Sequence, residues 1–128
     1  LLTFQLGNAL YALERYDDAI ASYDQALKHK PDDHIAWNNQ GYTFLKLGNL
    51  PKAKKNLDKA IELSPNEPYL LESMAFYFLL NNEPDQALTY LAKSIELDNS
   101  RKFAIADDED FAPLRNNPRY QAMITASG

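Results

Sequence analysis

The chain has 128 residues, 45% of them apolar, with four glycines, no cysteine and a formal net charge of −5. That length and apolar content suffice for one continuous core and one domain, while the missing cysteines exclude disulfides, thiolate metal sites and thiol catalysis and leave the redox compartment open. The acidic balance argues against nucleic-acid phosphate as the main target.

In chain order, the apolar spacing predicts six helices, over about 2–14, 17–30, 34–47, 51–63, 68–81 and 84–97. Asp17 and Asp18 suit the first turn of the second helix and Lys28 and Lys30 its last, through the helix macrodipole. Pro31 and Pro65 end helices because a residue before proline is pushed out of the helical region. Pro51 and Pro84 instead suit a first turn, where the missing amide has no partner to lose. The longest apolar run, Tyr69 to Leu80, is interrupted by Glu72 and Ser73 and is too short to span a bilayer. No signal peptide is visible.

The helices share a register. Gly7, Gly41 and Ala75 recur every 34 residues, as do Leu13, Leu47 and Asn81; Ala19, Ala53 and Ala87; Tyr23, Leu57 and Leu91; Ala26, Ala60 and Ser94; and Pro31, Pro65 and Asn99. The Gly/Ala column at 7, 41 and 75 belongs where the two helices of a pair cross most closely, with the alanine column at 19, 53 and 87 expected to face it. Such a period marks stacked helix pairs, an architecture for binding rather than catalysis.

Trp37-x2-Gln40-Gly41-x2-Phe44, followed by Ala53-x3-Leu57-x2-Ala60-x4-Pro65, resembles a tetratricopeptide repeat (TPR), and residues 1–33 and 68–101 look like two further copies. The resemblance implies an all-α, right-handed solenoid of three repeats (1–33, 34–67, 68–100) and a C-terminal capping segment, 101–128. That segment, with its acidic Asp107–Asp110 turn, Phe111-Ala-Pro-Leu114 and Pro118-Arg119-Tyr120, resembles the end of many bacterial TPR proteins. Phe111, Leu114, Tyr120, Met123 and Ile124 are expected to cover the last repeat, with Arg115, Asn116, Asn117 and Arg119 meeting water. Leu1 is not Met and falls inside the repeat register, which reads as a piece of a longer protein. Leu1, Leu2 and Phe4 then form an apolar edge able to drive self-association.

In this family the first helix of each pair lines a concave groove. Carried onto this chain, the groove positions are Leu1, Phe4, Gln5, Asn8, Tyr11 and Ala12; Ile35, Asn38, Asn39, Tyr42, Leu45 and Lys46; and Tyr69, Glu72, Ser73, Phe76, Leu79 and Leu80. Phe4, Asn8, Tyr11, Asn38, Asn39, Tyr42, Tyr69, Ser73 and Phe76 are the candidate peptide contacts. Aromatic rings supply contact area at low entropy cost, and asparagine amides pair with a peptide backbone in either direction. Core packing competes for these aromatics, and more strongly for Leu45 and Leu79. The TPR subclass that clamps acidic C-termini needs cations at positions held here by Phe4, Tyr69 and Ser73, so only its asparagines, Asn8 and Asn39, are matched.

No catalytic pattern appears. His29 and His34 bracket an inter-repeat turn and serve as helix end and start, so no metal or other cofactor is expected. Asp107–Asp110 lacks the alternating ligands and central glycine of a calcium loop. The lysines at 52, 54, 55 and 59 suggest either a solvated helix face or a dock for an acidic partner or anionic lipid. The expected function is a non-catalytic protein–protein interaction module of a larger cytoplasmic scaffold, with a protein or peptide partner, no nucleic acid and no membrane span. The alternative is a structural spacer or homo-oligomerisation domain whose groove is filled by its own or a neighbouring chain.

Overall fold

In the computed structural model, residues 2–126 are described, the Leu2 side chain excepted. Three helix pairs follow one another: α1 (Leu2–Ala12) with α2 (Tyr16–His29), α3 (His34–Leu47) with α4 (Leu50–Leu63), and α5 (Pro68–Leu80) with α6 (Pro84–Leu97). After them come α7 (Arg101–Asp107), a short 3-10 segment (Glu109–Leu114) and α8 (Pro118–Thr125). Contacts divide the chain after Pro65 into two compact units.

Local chemistry sets the helix ends. Asp33 caps α3 by accepting from the Ile35 and Ala36 amides, and Asn49 caps α4 by accepting from Lys52 N. The turn inside each pair closes with the same six-residue hydrogen bond, Arg15 N to Leu10 O, Asn49 N to Phe44 O and Glu83 N to Phe78 O. This closure places one left-handed residue in each turn: Glu14 (φ 59°), Gly48 (φ 78°) and Asn82 (φ 63°).

The first unit is built on α1 packed with α2, α3 with α4, and α2 with α3. Ala19, Ala53, Leu57 and Ala60 are wholly buried and Tyr23 is 1% exposed. One packing expectation is corrected. A Cβ on Gly7 would lie 2.6 Å from Tyr23 Cε1, and one on Gly41 3.1 Å from Asn56 Cβ and Leu57 Cδ2. The glycine column therefore meets the Tyr23/Leu57 column most closely, not the alanine column. The alanines are buried as well, but the larger side chain reaches across the pair because the glycine leaves room for it.

In the second unit α5 packs on α6, and residues 101–125 fold back on both, through α5 with the 3-10 segment and α6 with α7 and α8. Phe111, Leu114 and Tyr120 are buried, and the Phe111 ring meets Phe76 edge-on at 6.4 Å. Met123 and Ile124 are half-buried, Arg115, Asn116 and Arg119 are exposed, and Asn117 caps α8 through Tyr120 N. Polar ties reinforce this packing. Glu72 on α5 accepts from Ser94 Oγ at 2.6 Å and from Arg101 Nε and Nη2 at 2.8 and 2.6 Å, while Lys102 Nζ donates to Ala126 O at 2.6 Å. The Glu72 carboxylate holds the Arg101 guanidinium above its ordinary pKa.

Two outcomes test this packing. Gly7→Ala gains helix propensity of up to about 1 kcal/mol but drives a methyl into the fixed Tyr23 ring, so net destabilisation by about 1–3 kcal/mol is expected in urea unfolding; an unchanged or raised midpoint contradicts the close approach. Glu72→Gln leaves Arg101 without its carboxylate and should cost about 2 kcal/mol, less than breaking a fully buried pair because Arg101 is one-third exposed. A thermal melt matching the wild type shows that the tie is not structural.

Candidate functional site

On α1 and α3, one helical face brings the amides and rings of the first unit together. Asn8 Oδ1 accepts from Tyr23 Oη at 2.5 Å and from Asn39 Nδ2 at 3.0 Å, and Asn39 Oδ1 accepts from Asn38 Nδ2 at 3.4 Å. The three asparagines thus form a ladder crossing from α1 to α3, anchored by a phenol from α2. Beside it, Tyr11 lies 5.9 Å from Tyr42 and 5.4 Å from Tyr16, and Lys46 Nζ sits 5.3 Å from the Tyr42 ring centre. The Phe4 ring rests 6.0 Å from Tyr23.

The candidate contacts divide by exposure. Asn8 is exposed, while Phe4, Tyr11, Asn39, Tyr42 and Tyr69 are half-buried and retain surface. Asn38, Ser73 and Phe76 are 7–8% exposed. Phe76 is held against Phe111, and Asn38 keeps its Oδ1 buried with no hydrogen-bond partner among the described residues. Leu45 is core, at 3% exposure. Glu72, placed among the groove positions, spends both carboxylate oxygens on Ser94 and Arg101. Of the apolar N-terminal edge, Leu1 and the Leu2 side chain lie outside the described residues. Among the described residues, no three His, Cys, Asp or Glu side chains gather as metal ligands would, and no helix is long and apolar enough to cross a membrane.

Tyr23 was not among the sequence candidates. Its signal was present, a tyrosine in a column otherwise occupied by leucine and opposite a glycine, but a buried phenol reads as core until its hydroxyl is seen to emerge at Asn8. Burial pushes its pKa from 10.0 up to about 12, opposed in part by hydrogen bonding with Asn39. The hydroxyl therefore stays protonated and donates, with Asn8 Oδ1 as its acceptor.

Because the folded state holds this proton more tightly than the unfolded chain, its contribution is complete below pH 10 and drains away as pH rises through about 12. The size is about 3 kcal/mol for a shift of this order. Tyr23→Phe should flatten that alkaline loss and cost about 1 kcal/mol at neutral pH from the missing hydrogen bond. Urea unfolding of both proteins at a series of alkaline pH values measures it; identical pH slopes contradict the role given to the phenol.

Comparisons with known proteins agree with this architecture. The tetratricopeptide-repeat family profile matches residues 4–68. The chain is 37% identical over 60 residues to Hsp70-Hsp90 organizing protein 3 of Arabidopsis thaliana and 33% identical over 63 residues to protein arginine N-methyltransferase 9 of Mus musculus. Those stretches cover 47% and 49% of this chain but only 11% and 7% of the relatives, so the chain spans a small fraction of their length. Among solved structures, the first TPR of Spaghetti (RPAP3), bound to an HSP90 peptide, aligns with TM-score 0.74 at 13% identity over 95% of this chain and 87% of that one. MamA from Desulfovibrio magneticus RS-1 aligns with TM-score 0.70 at 18% identity over 95% and 72%. At those identities the likeness concerns the fold alone. Profile, repeat register and helix pairing together establish that the chain belongs to the tetratricopeptide-repeat family.

Proposed function

We propose that this chain is a non-catalytic protein-interaction module that holds a peptide or protein segment on the first-helix face of its first unit. The observation that carries the proposal is the Asn38–Asn39–Asn8 ladder pinned by Tyr23. It presents amides at fixed positions next to the Tyr11–Tyr42 pair, a combination suited to a peptide backbone with apolar side chains. Pre-organisation matters here, since amides already held in place lose little entropy on binding. In the second unit Tyr69 occupies the corresponding register on α5, and residues 101–126 serve as the cover of the last helix pair.

Support from relatives is of the same kind: a TPR neighbour is bound to an HSP90 peptide, and several relatives are Hsp70-Hsp90 organizing proteins. The chemistry of this face differs from a carboxylate clamp. Phe4, Tyr69 and Ser73 stand where the clamp requires cations, so the proposed ligand is anchored by apolar side chains and backbone amide pairing rather than by a terminal carboxylate.

Affinity capture from source-cell lysate with the wild type and with Asn39→Ala/Tyr42→Ala, both confirmed folded, tests the assignment. A partner retained by the first and lost by the second is expected. Equal capture by the two proteins removes the first-helix face from consideration.

A further inference from the structure

The lysines of α4 do not act as one patch. Lys54 pairs with Asp58 at 2.7 Å and Lys59 with Glu62 at 3.7 Å, about one turn apart on the same helix, as on any solvated helix face. Lys52 and Lys55 instead line a groove of about 670 Å³ that runs over α3 between α2 and α4. Among the described residues neither has a carboxylate partner; Lys52 lies over the Phe44 ring at 5.8 Å.

The groove has a distinct floor and two unlike walls. Trp37 and Phe44 of α3 supply aromatic surface, and the indole is fixed because its Nε1 donates to Pro31 O at 2.8 Å. Gln40, between them, is spent: Nε2 donates to Ile20 O at 3.0 Å and Asp24 Oδ1 at 2.7 Å, and Oε1 accepts from Asn56 Nδ2 at 2.6 Å. A visitor therefore meets apolar surface below. On the α4 wall it meets two ammonium groups, while Asp17 and Asp24 stand on the α2 wall, Asp24 already engaged by Gln40. A smaller hollow of about 380 Å³ shares Asp24, Trp37 and Gln40 and extends the trough along α2.

We infer that this trough is a second docking site, separate from the first-helix face, for an acidic, apolar segment of a partner protein that lays an apolar side chain on Trp37 and Phe44 and sets carboxylates against Lys52 and Lys55. The volume suits side chains. Local charge complementarity selects the class: Lys52 and Lys55, without carboxylate partners among the described residues, line one wall of the groove. The aspartates opposite disfavour a phosphate polymer or an anionic bilayer, which would present negative charge to both walls, whereas a peptide can keep its carboxylates on the α4 side.

Trp37 is the sole tryptophan of the chain, so its fluorescence reads the groove floor directly. The probe is a short capped peptide of alternating glutamate and leucine, with a lysine–leucine peptide as control. A saturable change with the acidic peptide is expected, weakened by added salt. Binding should fall about tenfold in Lys52→Glu/Lys55→Glu and less in Lys52→Gln/Lys55→Gln, both on exposed positions and checked for unchanged helix content. The response should persist in Asn39→Ala/Tyr42→Ala. Absence of a saturable change overturns the inference, as does an equal response to the lysine peptide, survival of binding after charge reversal, or its loss in the first-helix-face variant.

Discussion

Everything on the first-helix face of the first unit rests on one close approach, that of α1 to α2 at Gly7. With no Cβ there, the Tyr23 ring fills the space and is sealed from water, yet its hydroxyl still reaches across the pair to Asn8. A leucine at that place would fill less of the space and bring no donor. The second pair shows the contrast: Gly41 faces Leu57 and Asn56, and the polar reach there belongs to Asn56, which bonds Gln40 on the other side of α3. One glycine thus sets both how close two helices lie and which polar atom emerges between them. Burying the phenol without a partner would cost roughly 1–3 kcal/mol, so the Asn8 acceptor is part of what makes tyrosine tolerable in that column.

The second unit solves the same problem differently. Ala75 stands in the glycine column and Leu91 in the tyrosine column, both wholly buried, so the crossing carries no polar group. Its polar content is displaced to Glu72, which binds α6 through Ser94 and α7 through Arg101. A carboxylate with three donors is well satisfied at partial burial, and the bidentate guanidinium fixes direction as well as distance. That tie, with Phe111 against Phe76, holds the residues after Ser100 on the helix pair.

The helices and their pairing were legible in the sequence because they follow from periodicity, prolines and small residues, each of which acts locally. Observed ends fall within two residues of those expected, as at Ala12 against 14 and His29 against 30. The turn geometry was legible at Gly48, where glycine signals the left-handed residue, and hidden at Glu14 and Asn82, which adopt it without glycine because the turn's closing hydrogen bond demands it. The partner of the glycine column was misassigned, since sequence spacing fixes which residues share a face but not which side chain reaches farthest across it. The ladder and the Glu72 tie were equally out of reach: they join residues 31 and 29 positions apart, and depend on rotamers that no periodicity encodes.

The helix α3 explains why the first unit offers two unlike surfaces. A helix meant only for the core would bury one apolar stripe, whereas α3 buries Asn38, Gln40 and Thr43 and keeps Trp37, Asn39, Tyr42 and Phe44 half-open. Residues three, four and seven apart share a side, so Trp37, Gln40 and Phe44 face the α2–α4 groove while Asn38, Asn39 and Tyr42 stand on or beside the α1 face. Thr43 bonds back to Asn39 O, and Gln40 engages both its amide donors and its carbonyl oxygen. These polar groups are stabilising only as a set, because removing Gln40 would strand the buried Asn56 amide. Asn38 breaks that economy with a buried acceptor left unmatched among the described residues, a desolvation cost of roughly 1–3 kcal/mol. The unmatched oxygen is sealed from solvent beside the amide ladder, so it adds a cost to the first unit without standing open as an acceptor.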